Sequence, residues 1–262
     1  MTLTRTIAAV MAASSTLAIA AAAQAATVAG LVDGKNIVWI DSATRKVTGS
    51  VEVKGTTLAG IDVRPSDGKL YGVSATGDIL IVDPKTGATT MKSKISEPLP
   101  SGVTWSVDFN PAADRLRLIG SDGTSLRINV DDGKATVDGK LKYADADSNK
   151  GKAPMAAAVA YSNSFAGTKE TALYDVDAAT GTLVKQAPPN DGILNTIGSL
   201  GVKIDGSIAF DIASDGKGGN TAWLAAGGAL HTVDLATGKA TAVGKIDGLK
   251  GRLSDIAVLP AN

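Results

Sequence analysis

Three aspartates occupy the same position of a recurring strand pattern and are the first candidates for chemistry. Asp62, Asp108 and Asp211 lie in Ile-Asp-Val, Val-Asp-Phe and Phe-Asp-Ile, and the two remaining copies have Ala160 and Ala257 at this position. Carboxylates that a fold brings together can act as the acid and the base of a hydrolysis, as they do in glycosidases. A recurring position is also typical of side chains that bond to the backbone of their own repeat. We favour the structural interpretation.

A second oxygen-rich motif lies further along the chain. Asp145, Asp147 and Asn149 alternate with other residues, as do the first three ligands of a calcium loop. Lys150 stands where such a loop needs its glycine, and Ala156 stands where it needs its bidentate glutamate. We favour a solvated polar loop, and the alternative is a weak calcium site.

Other catalytic and metal-binding signatures are scarce. The chain has one histidine, His231, and no cysteine. His231 lies in the alternating segment Ala-Leu-His-Thr-Val-Asp, which is typical of an ordinary strand residue. Zinc, haem and copper sites would have almost no side chains to use, and we expect no cofactor. Nucleophile-elbow, phosphate-loop and dinucleotide motifs are absent from the sequence.

The elements that must position these residues are β-hairpins of one repeated kind. DILIVDPKTGATT (78–90) alternates apolar and polar residues, turns at Asp-Pro-Lys-Thr-Gly and resumes an extended pattern. The same hairpin recurs at intervals of roughly 45 residues. Its other copies are 36–48, 125–136, 171–183 and 229–241. Short strands with regular turns predict an all-β protein.

The repeats predict a five-bladed β-propeller of four-stranded blades. The second unit supplies AGIDVRP, KLYGVS, DILIVD and ATTMK (59–92) as its four strands. The C-terminal LSDIAVLP (253–260) matches the first strand of a unit, whereas the N-terminus begins with a second strand. The C-terminal strand should therefore complete the first blade and close the ring. A longer interval before the fourth hairpin indicates an insertion, 140–155.

In propellers the ligand usually lies where the loops that precede the inner strands converge. These loops are predicted at 93–104, 140–155, 199–206 and 245–252, and Trp105 and Tyr143 are the only aromatic residues in or beside them. Either ring could stack on a sugar or anchor a peptide, and a role in capping the core is equally compatible with the pattern. We treat both as candidate ligand-binding residues.

Three arginines at alternating positions define a basic patch on the third unit. Arg115 and Arg117 belong to one strand and Arg127 to the next. We expect a solvated face whose cations pair with neighbouring aspartates, and we consider an anion site less favoured.

The amino-acid sequences of three segments resemble those of one protein family. AGIDVRPSDGKLYGVSATGDILIVDPKTG, VDFNPAADRLRLIGSDGTSLRIN and TALYDVDAATGTLVKQAPPNDG are similar to exported bacterial β-propeller-like proteins known as domain of unknown function 4394. The resemblance covers essentially the whole chain after residue 25. It implies a propeller, and it implies no activity, substrate, cofactor or site residue.

Residues 1–25 are typical of a signal peptide. Arg5 is the only charged residue in this segment, an apolar run follows, and Ala23-Gln24-Ala25 is a small-x-small cleavage site. A retained membrane anchor fits less well, because the run is short and alanine-rich. Residues 26–262 should form a single domain located in the periplasm or outside the cell. Since that domain lacks cysteine, its own core must hold it together.

Charge and composition limit the partners. The chain has 26 Lys+Arg and 26 Asp+Glu, so nothing favours nucleic acid or an anionic membrane, and no membrane span should remain after cleavage. We expect a monomer that binds a protein or glycan without catalysis. The alternatives are a hydrolase or lactonase-type propeller enzyme that uses the aspartates, and a purely structural envelope protein.

Overall fold

The structure is a computed structural model and describes residues 26–204 and 206–260. The predicted signal peptide lies outside the described residues. The strands of the first three blades are β1 (Thr27–Val32), β2 (Asn36–Asp41), β3 (Lys46–Glu52), β4 (Leu58–Val63), β5 (Leu70–Ser74), β6 (Asp78–Val82), β7 (Thr89–Lys94), β8 (Trp105–Asn110), β9 (Arg115–Gly120), β10 (Ser125–Ile128) and β11 (Ala135–Val137). The rest are β12 (Lys142–Tyr143), β13 (Ala156–Tyr161), β14 (Leu173–Asp177), β15 (Thr182–Gln186), β16 (Ile193–Ser199), β17 (Ile208–Ser214), β18 (Asn220–Ala226), β19 (Ala229–Val233), β20 (Ala240–Lys245) and β21 (Leu253–Val258), with a 3₁₀ turn at Pro189–Asp191.

The strands form five antiparallel-based sheets arranged as the blades of a propeller, as the sequence predicts. From the axis outward the blades run β21-β1-β2-β3, β4-β5-β6-β7, β8-β9-β10-β11, β13-β14-β15-β16-β12 and β17-β18-β19-β20. Each inner strand contacts the inner strands of both neighbouring blades, so that β4, β8, β13, β17 and β21 close a ring.

The two ends of the chain meet in the first blade. β21 pairs antiparallel with β1, and Ile256 and Ala257 lie opposite Gly30 and Ala29. The predicted closure of the first blade by the C-terminal strand is confirmed. The inner edge of β1 thereby gains a hydrogen-bonded partner. In an unclosed ring this edge would be exposed.

The fourth blade differs from the predicted four strands. Its insertion contributes β12, which runs parallel to β16 and places Lys142 and Tyr143 beside Ile193 and Leu194. The blade therefore has five strands. Because β12 pairs with the outermost repeat strand, the insertion covers the outer edge of this blade.

Apolar side chains fill the seams between blades. One cluster lies in each seam; that between the second and third blades, for example, contains Tyr71, Val107 and Phe109. Inner strands are buried on both faces because each face meets a neighbouring blade. No helix in the described part of the chain has both the length and the apolar character needed to span a bilayer.

Candidate functional site

Three of the aspartates chosen from the sequence meet near the propeller axis. Asp62, Asp108 and Asp211 lie on the inner strands β4, β8 and β17 and are all buried. One carboxylate oxygen from each lies within 4.8 Å of the other two. The repeat thus brings together side chains that are far apart in the sequence.

Two of these carboxylates, those of Asp62 and Asp211, bond to backbone in two blades at once. Asp62 accepts the Val63 N–H of its own strand at 2.6 Å and the Phe109 N–H of the next blade at 2.7 Å. Asp211 likewise accepts Ile212 N–H and Val258 N–H. Asp108 accepts only an N–H from the next blade, that of Tyr161, at 3.0 Å. The geometry supports a role in joining neighbouring blades.

A fourth axial carboxylate was not identified from the sequence. Asp255 on β21 accepts Ile61 N–H at 2.9 Å and Ile256 N–H at 3.0 Å. It lies two residues before Ala257, the residue equivalent to Asp62, so the recurring position did not include it. Ser106, at the corresponding position of the third blade, accepts Val159 N–H through its hydroxyl.

Side-chain bonds of this kind cross four of the five inner seams. The exception is the seam between the fourth and fifth blades, where Ala158 and Ala160 stand at the two bonding positions of β13. Neither alanine can accept an N–H through its side chain. Between the inner strands this seam is held by apolar contacts such as that of Phe210, and beyond β13 the Asn220 side chain accepts the Asn163 N–H across it.

Burial makes the axial group electrostatically unfavourable when ionised. It raises the pKa of Asp211 to about 6, although the Val258 and Ile212 N–H groups oppose the shift. The pKa of Asp62 lies well above its usual value because of burial and the nearby Asp211 carboxylate. Burial also raises the pKa of Asp108 and of Asp255. The four carboxyl groups therefore retain protons to higher pH than exposed aspartates do.

The oxygens of Asp145, Asp147 and Asn149, the candidate calcium ligands, are held by other partners. Asp147 accepts the Thr196 N–H and hydroxyl as well as the Asn149 N–H. The Lys152 ammonium lies 2.8 Å from the Asn149 side-chain oxygen, and Asp145 is almost fully exposed and pairs with Lys150. Because an ammonium holds one oxygen and β16 holds another, these residues do not fit a calcium ion. Asp147 ties the loop to Thr196 of β16.

Both candidate ligand-binding aromatics are buried. Trp105 begins β8, is 7% exposed and packs in the seam between the second and third blades. Tyr143 on β12 is 5% exposed and donates its hydroxyl to Asp177. Neither ring has an open face on which a sugar could stack. Their positions fit the alternative interpretation, that of capping the core.

Of the three arginines of the basic patch, Arg117 is buried and departs from the solvated face that we expected, whereas Arg115 is exposed and Arg127 is half-buried. Arg117 is 1% exposed and donates to Asp138 at 2.5 Å, to Tyr161 at 3.2 Å and to Asn190 at 2.9 Å. Asp138 also pairs with Arg127. The predicted alternation of side chains along β9 was correct. However, Arg117 lies on the face of β9 that packs against the fourth blade. A polar network therefore runs through this seam.

Asp175 on β14 lies in the same region without a hydrogen bond. Asp175 is fully buried, and neither of its carboxylate oxygens has a hydrogen-bond partner among the described residues. The side-chain oxygen of Gln186 also lacks a partner among these residues. Burial raises the pKa of Asp175 to about 8, partly offset by the charge of Arg117. Asp175 is thus a neutral acid at neutral pH in the folded protein.

Asp175 should make stability depend on pH. Between pH 3.8 and about 8 the folded state keeps a proton that the unfolded state has released, so stability falls as pH rises through this window. Relative to the parent, Asp175→Asn should gain roughly 1.4 kcal/mol per pH unit across the window. Urea titrations at pH 5 and pH 8 measure this difference. Asp215→Asn, in an exposed turn, is the control and should show no such trend. Parallel pH profiles for Asp175→Asn and the parent would contradict the shift.

His231 lies on β19 and is also buried. It is 8% exposed, and its Nδ1 has no hydrogen-bond partner in the described ranges. Leu224 stands opposite it on β18 and Ala242 on β20. The histidine is thus a strand residue among apolar neighbours, away from the axial carboxylates.

A concave surface lies on the loop face, where each outer strand connects to the next inner strand. A groove of about 510 Å³ separates the third and fourth blades there, and we call it the lysine groove. Its lining side chains are Lys140, Lys142, Lys150, Lys152, Asp122 and Asp145, with Leu141 and Tyr143 at its base. The four cations outnumber the two anions, so the groove favours an acidic ligand.

Most of this groove comes from the insertion. Lys150 pairs with Asp145 at 3.0 Å, while Lys140 and Lys142 have no carboxylate within ion-pair distance in the described part of the chain. The sequence signal was the insertion itself, because long connections in compact domains are usually functional. The aromatic residues drew attention to this loop, but its exposed lysines provide the available contacts.

Comparison with protein families identifies the chain. The profile of the family described as Domain of unknown function (DUF4394) matches residues 36–257, and the chain belongs to this family. The resemblance stated from the sequence is confirmed. No curated protein matches the chain.

Several solved structures are similar to this chain at low sequence identity. A structural genomics protein of unknown function from Bacteroides thetaiotaomicron is 15% identical, with a TM-score of 0.53, over 93% of this chain and 68% of that chain. A protein of unknown function from Bacteroides caccae is 13% identical, with a TM-score of 0.46, over 91% of this chain and 100% of that chain. An auxiliary nutrient binding protein from Bacteroides thetaiotaomicron is 16% identical, with a TM-score of 0.46, over 75% of this chain and 51% of that chain.

Proposed function

We propose that this DUF4394 propeller is an exported, non-enzymatic binding protein that holds an acidic segment of a partner protein in the lysine groove. The observation that carries the proposal is the excess of exposed lysines in a concave surface formed by the one long insertion of the repeat. Export rests on the signal-like residues 1–25, and a periplasmic or extracellular location follows from it.

The chemistry of the groove favours a peptide over a sugar. Tyr143 is buried beneath the lysines, so the groove offers no aromatic platform of the kind on which sugar rings stack. Lysines provide mobile point charges that suit carboxylates on a flexible chain. Met155 directly follows the groove residue Pro154, is 44% exposed and offers an apolar contact beside the cations.

The axial carboxylates support a binding module more than a hydrolase. Each of Asp62, Asp108, Asp211 and Asp255 accepts a backbone N–H from a neighbouring blade. A catalytic pair needs one carboxylic acid and one carboxylate that reach the substrate. Here these groups are buried and serve the joints between blades, which leaves the loop face as the place for function.

Charge reversal in the groove tests the proposal. A fluorescein-labelled peptide of alternating Glu and Leu should bind the parent, and the double variant Lys140→Glu, Lys142→Glu should bind it roughly tenfold or more weakly at low salt. Fluorescence anisotropy measures both affinities. The control is Lys85→Glu, Lys239→Glu, which makes the same charge change in two exposed turns at the opposite end of the blades and should leave binding unchanged.

The outcomes separate the alternatives. Equal losses in both double variants would show a general charge effect and overturn the groove assignment. Binding of polygalacturonate but not of the peptide would assign the groove to an acidic glycan and overturn the protein partner. Failure of both ligands to bind would remove the proposed function.

A further inference from the structure

A second cavity opens on the loop face at the seam between the fifth and first blades. Its volume is about 410 Å³. Ala225, Ala226 and Leu253 are buried residues that line it, and Arg252 and Ser207 supply its polar side chains. We call it the Arg252 cavity. It shares no residue with the lysine groove.

The backbone of Arg252 is fixed from both sides. Its N–H donates to the Asp33 carboxylate at 3.0 Å, and its carbonyl oxygen accepts the Asp33 N–H at 2.9 Å. These bonds connect the loop before β21 to the turn between β1 and β2. The arginine therefore projects from a rigid point at the mouth of the cavity.

The guanidinium is oriented, yet most of its donors have no acceptor among the described residues. Nε donates to the Ser207 hydroxyl at 2.8 Å. No carboxylate of the described residues lies within ion-pair distance of the guanidinium, and its two terminal nitrogens make no hydrogen bond within those residues. An arginine held through Nε presents its remaining N–H groups to a planar two-oxygen acceptor.

Glycines leave the walls of the cavity bare. Gly206 and Gly228 have positive φ angles of 74° and 75°, and a Cβ on either would meet nothing within 4 Å. Gly227 and Gly251 complete the rim. The cavity thus combines a small apolar floor, exposed backbone and one oriented cation.

We infer that the Arg252 cavity binds a small carboxylate whose neighbouring group is apolar, with the guanidinium receiving the carboxylate and Ala225, Ala226 and Leu253 receiving the apolar group. A free short acid and the C-terminus of a peptide share this chemistry. The inference is independent of the lysine groove and goes beyond the proposed function.

Two matched ligands test the charge requirement. N-acetyl-L-alanine should bind in the millimolar range, as expected for so small a ligand, and its neutral N-methylamide should bind roughly tenfold more weakly. Chemical-shift titration of the ¹⁵N-labelled protein measures both and should show shifts at Gly227, Gly228 and Arg252. A pentapeptide that ends in a free alanine carboxylate, compared with its amide, decides whether the source is a free acid or a chain end. Binding of either carboxylate more strongly than of its amide supports the site.

Variants connect the binding to the arginine. Arg252→Gln keeps the backbone bonds to Asp33 and should abolish carboxylate binding, while Ser207→Ala should weaken it by releasing Nε. Arg252→Lys should restore only part of the affinity, because an ammonium lacks the planar fork. Arg115→Gln, an exposed arginine at the other end of the third blade, is the control and should change nothing. Equal binding of acid and amide, or unchanged binding in Arg252→Gln, would overturn the inference.

Discussion

Removal of the last strand, by deletion of 253–262, should cost at least about 4 kcal/mol of unfolding free energy or prevent folding altogether. Leu253 and Ile256 are 6% and 2% exposed, and burial of one such side chain contributes roughly 1.5–3 kcal/mol. The deletion also removes Asp255, which accepts the Ile61 N–H of the second blade, and it exposes the edge of β1.

Urea denaturation followed by circular dichroism measures the loss. The control is a shorter deletion, of Pro260–Asn262, which leaves β21 intact and should unfold at the parent's urea concentration. Because the longer deletion could abolish folding, Ile256→Ala offers a milder test and should cost about 2–4 kcal/mol. A longer deletion that unfolds together with the control would contradict the role of β21 in closing the ring.

Gly133→Ala should destabilise the protein by about 3 kcal/mol or more, although it adds a single methyl group. Gly133 ends the turn between β10 and β11 with φ at 76°, and a Cβ there would lie 1.9 Å from the Lys94 carbonyl oxygen of the preceding blade. Its own carbonyl oxygen accepts the Ser96 N–H at 2.9 Å. Since backbone cannot yield to a methyl group, the hairpin must move away from the second blade.

Gly68→Ala is the matched control for this effect. Gly68 has φ at 68°, but a Cβ there would meet nothing within 4 Å. Its substitution should cost only the backbone strain, about 1 kcal/mol. The difference between the two urea midpoints isolates the contact between blades. Equal losses would show that the positive φ alone requires glycine at position 133.

The hairpin glycines show which structural features could be predicted from the sequence and which could not. The predicted hairpin turn Asp-Pro-Lys-Thr-Gly ends at Gly87, and Gly87, Gly133, Gly192 and Gly238 all have positive φ. Nothing in the spacing revealed that a Cβ on any of them would collide with backbone of an adjacent blade. In the first blade Arg45 keeps the positive φ, at 59°, and its side chain lies over Gly244. The turn is a local property, whereas the contact between blades is not.

The sequence by itself determined the strands, their order and the closure of the ring. Alternation with period two and turn residues at fixed offsets act within one hairpin, so they can be read along the chain. The match between LSDIAVLP and the other inner strands was sufficient to assign β21 to the first blade. The strand β12 was missed because a two-residue parallel pairing leaves no pattern.

Only the tertiary structure decided what the polar side chains do. Asp255 bonds to Ile61 across 194 residues, Arg117 turns into the seam toward Asn190, and Asp147 faces Thr196 rather than a metal. Alternation with period two shows that a side chain lies on one of the two faces of its strand. It does not show whether that side chain is buried, because a propeller packs both faces of a blade against neighbouring blades. Which side chains are desolvated, and which lysines and arginines remain available to a ligand, therefore depends on the twist and packing of adjacent blades, and these arise from contacts that no local pattern encodes.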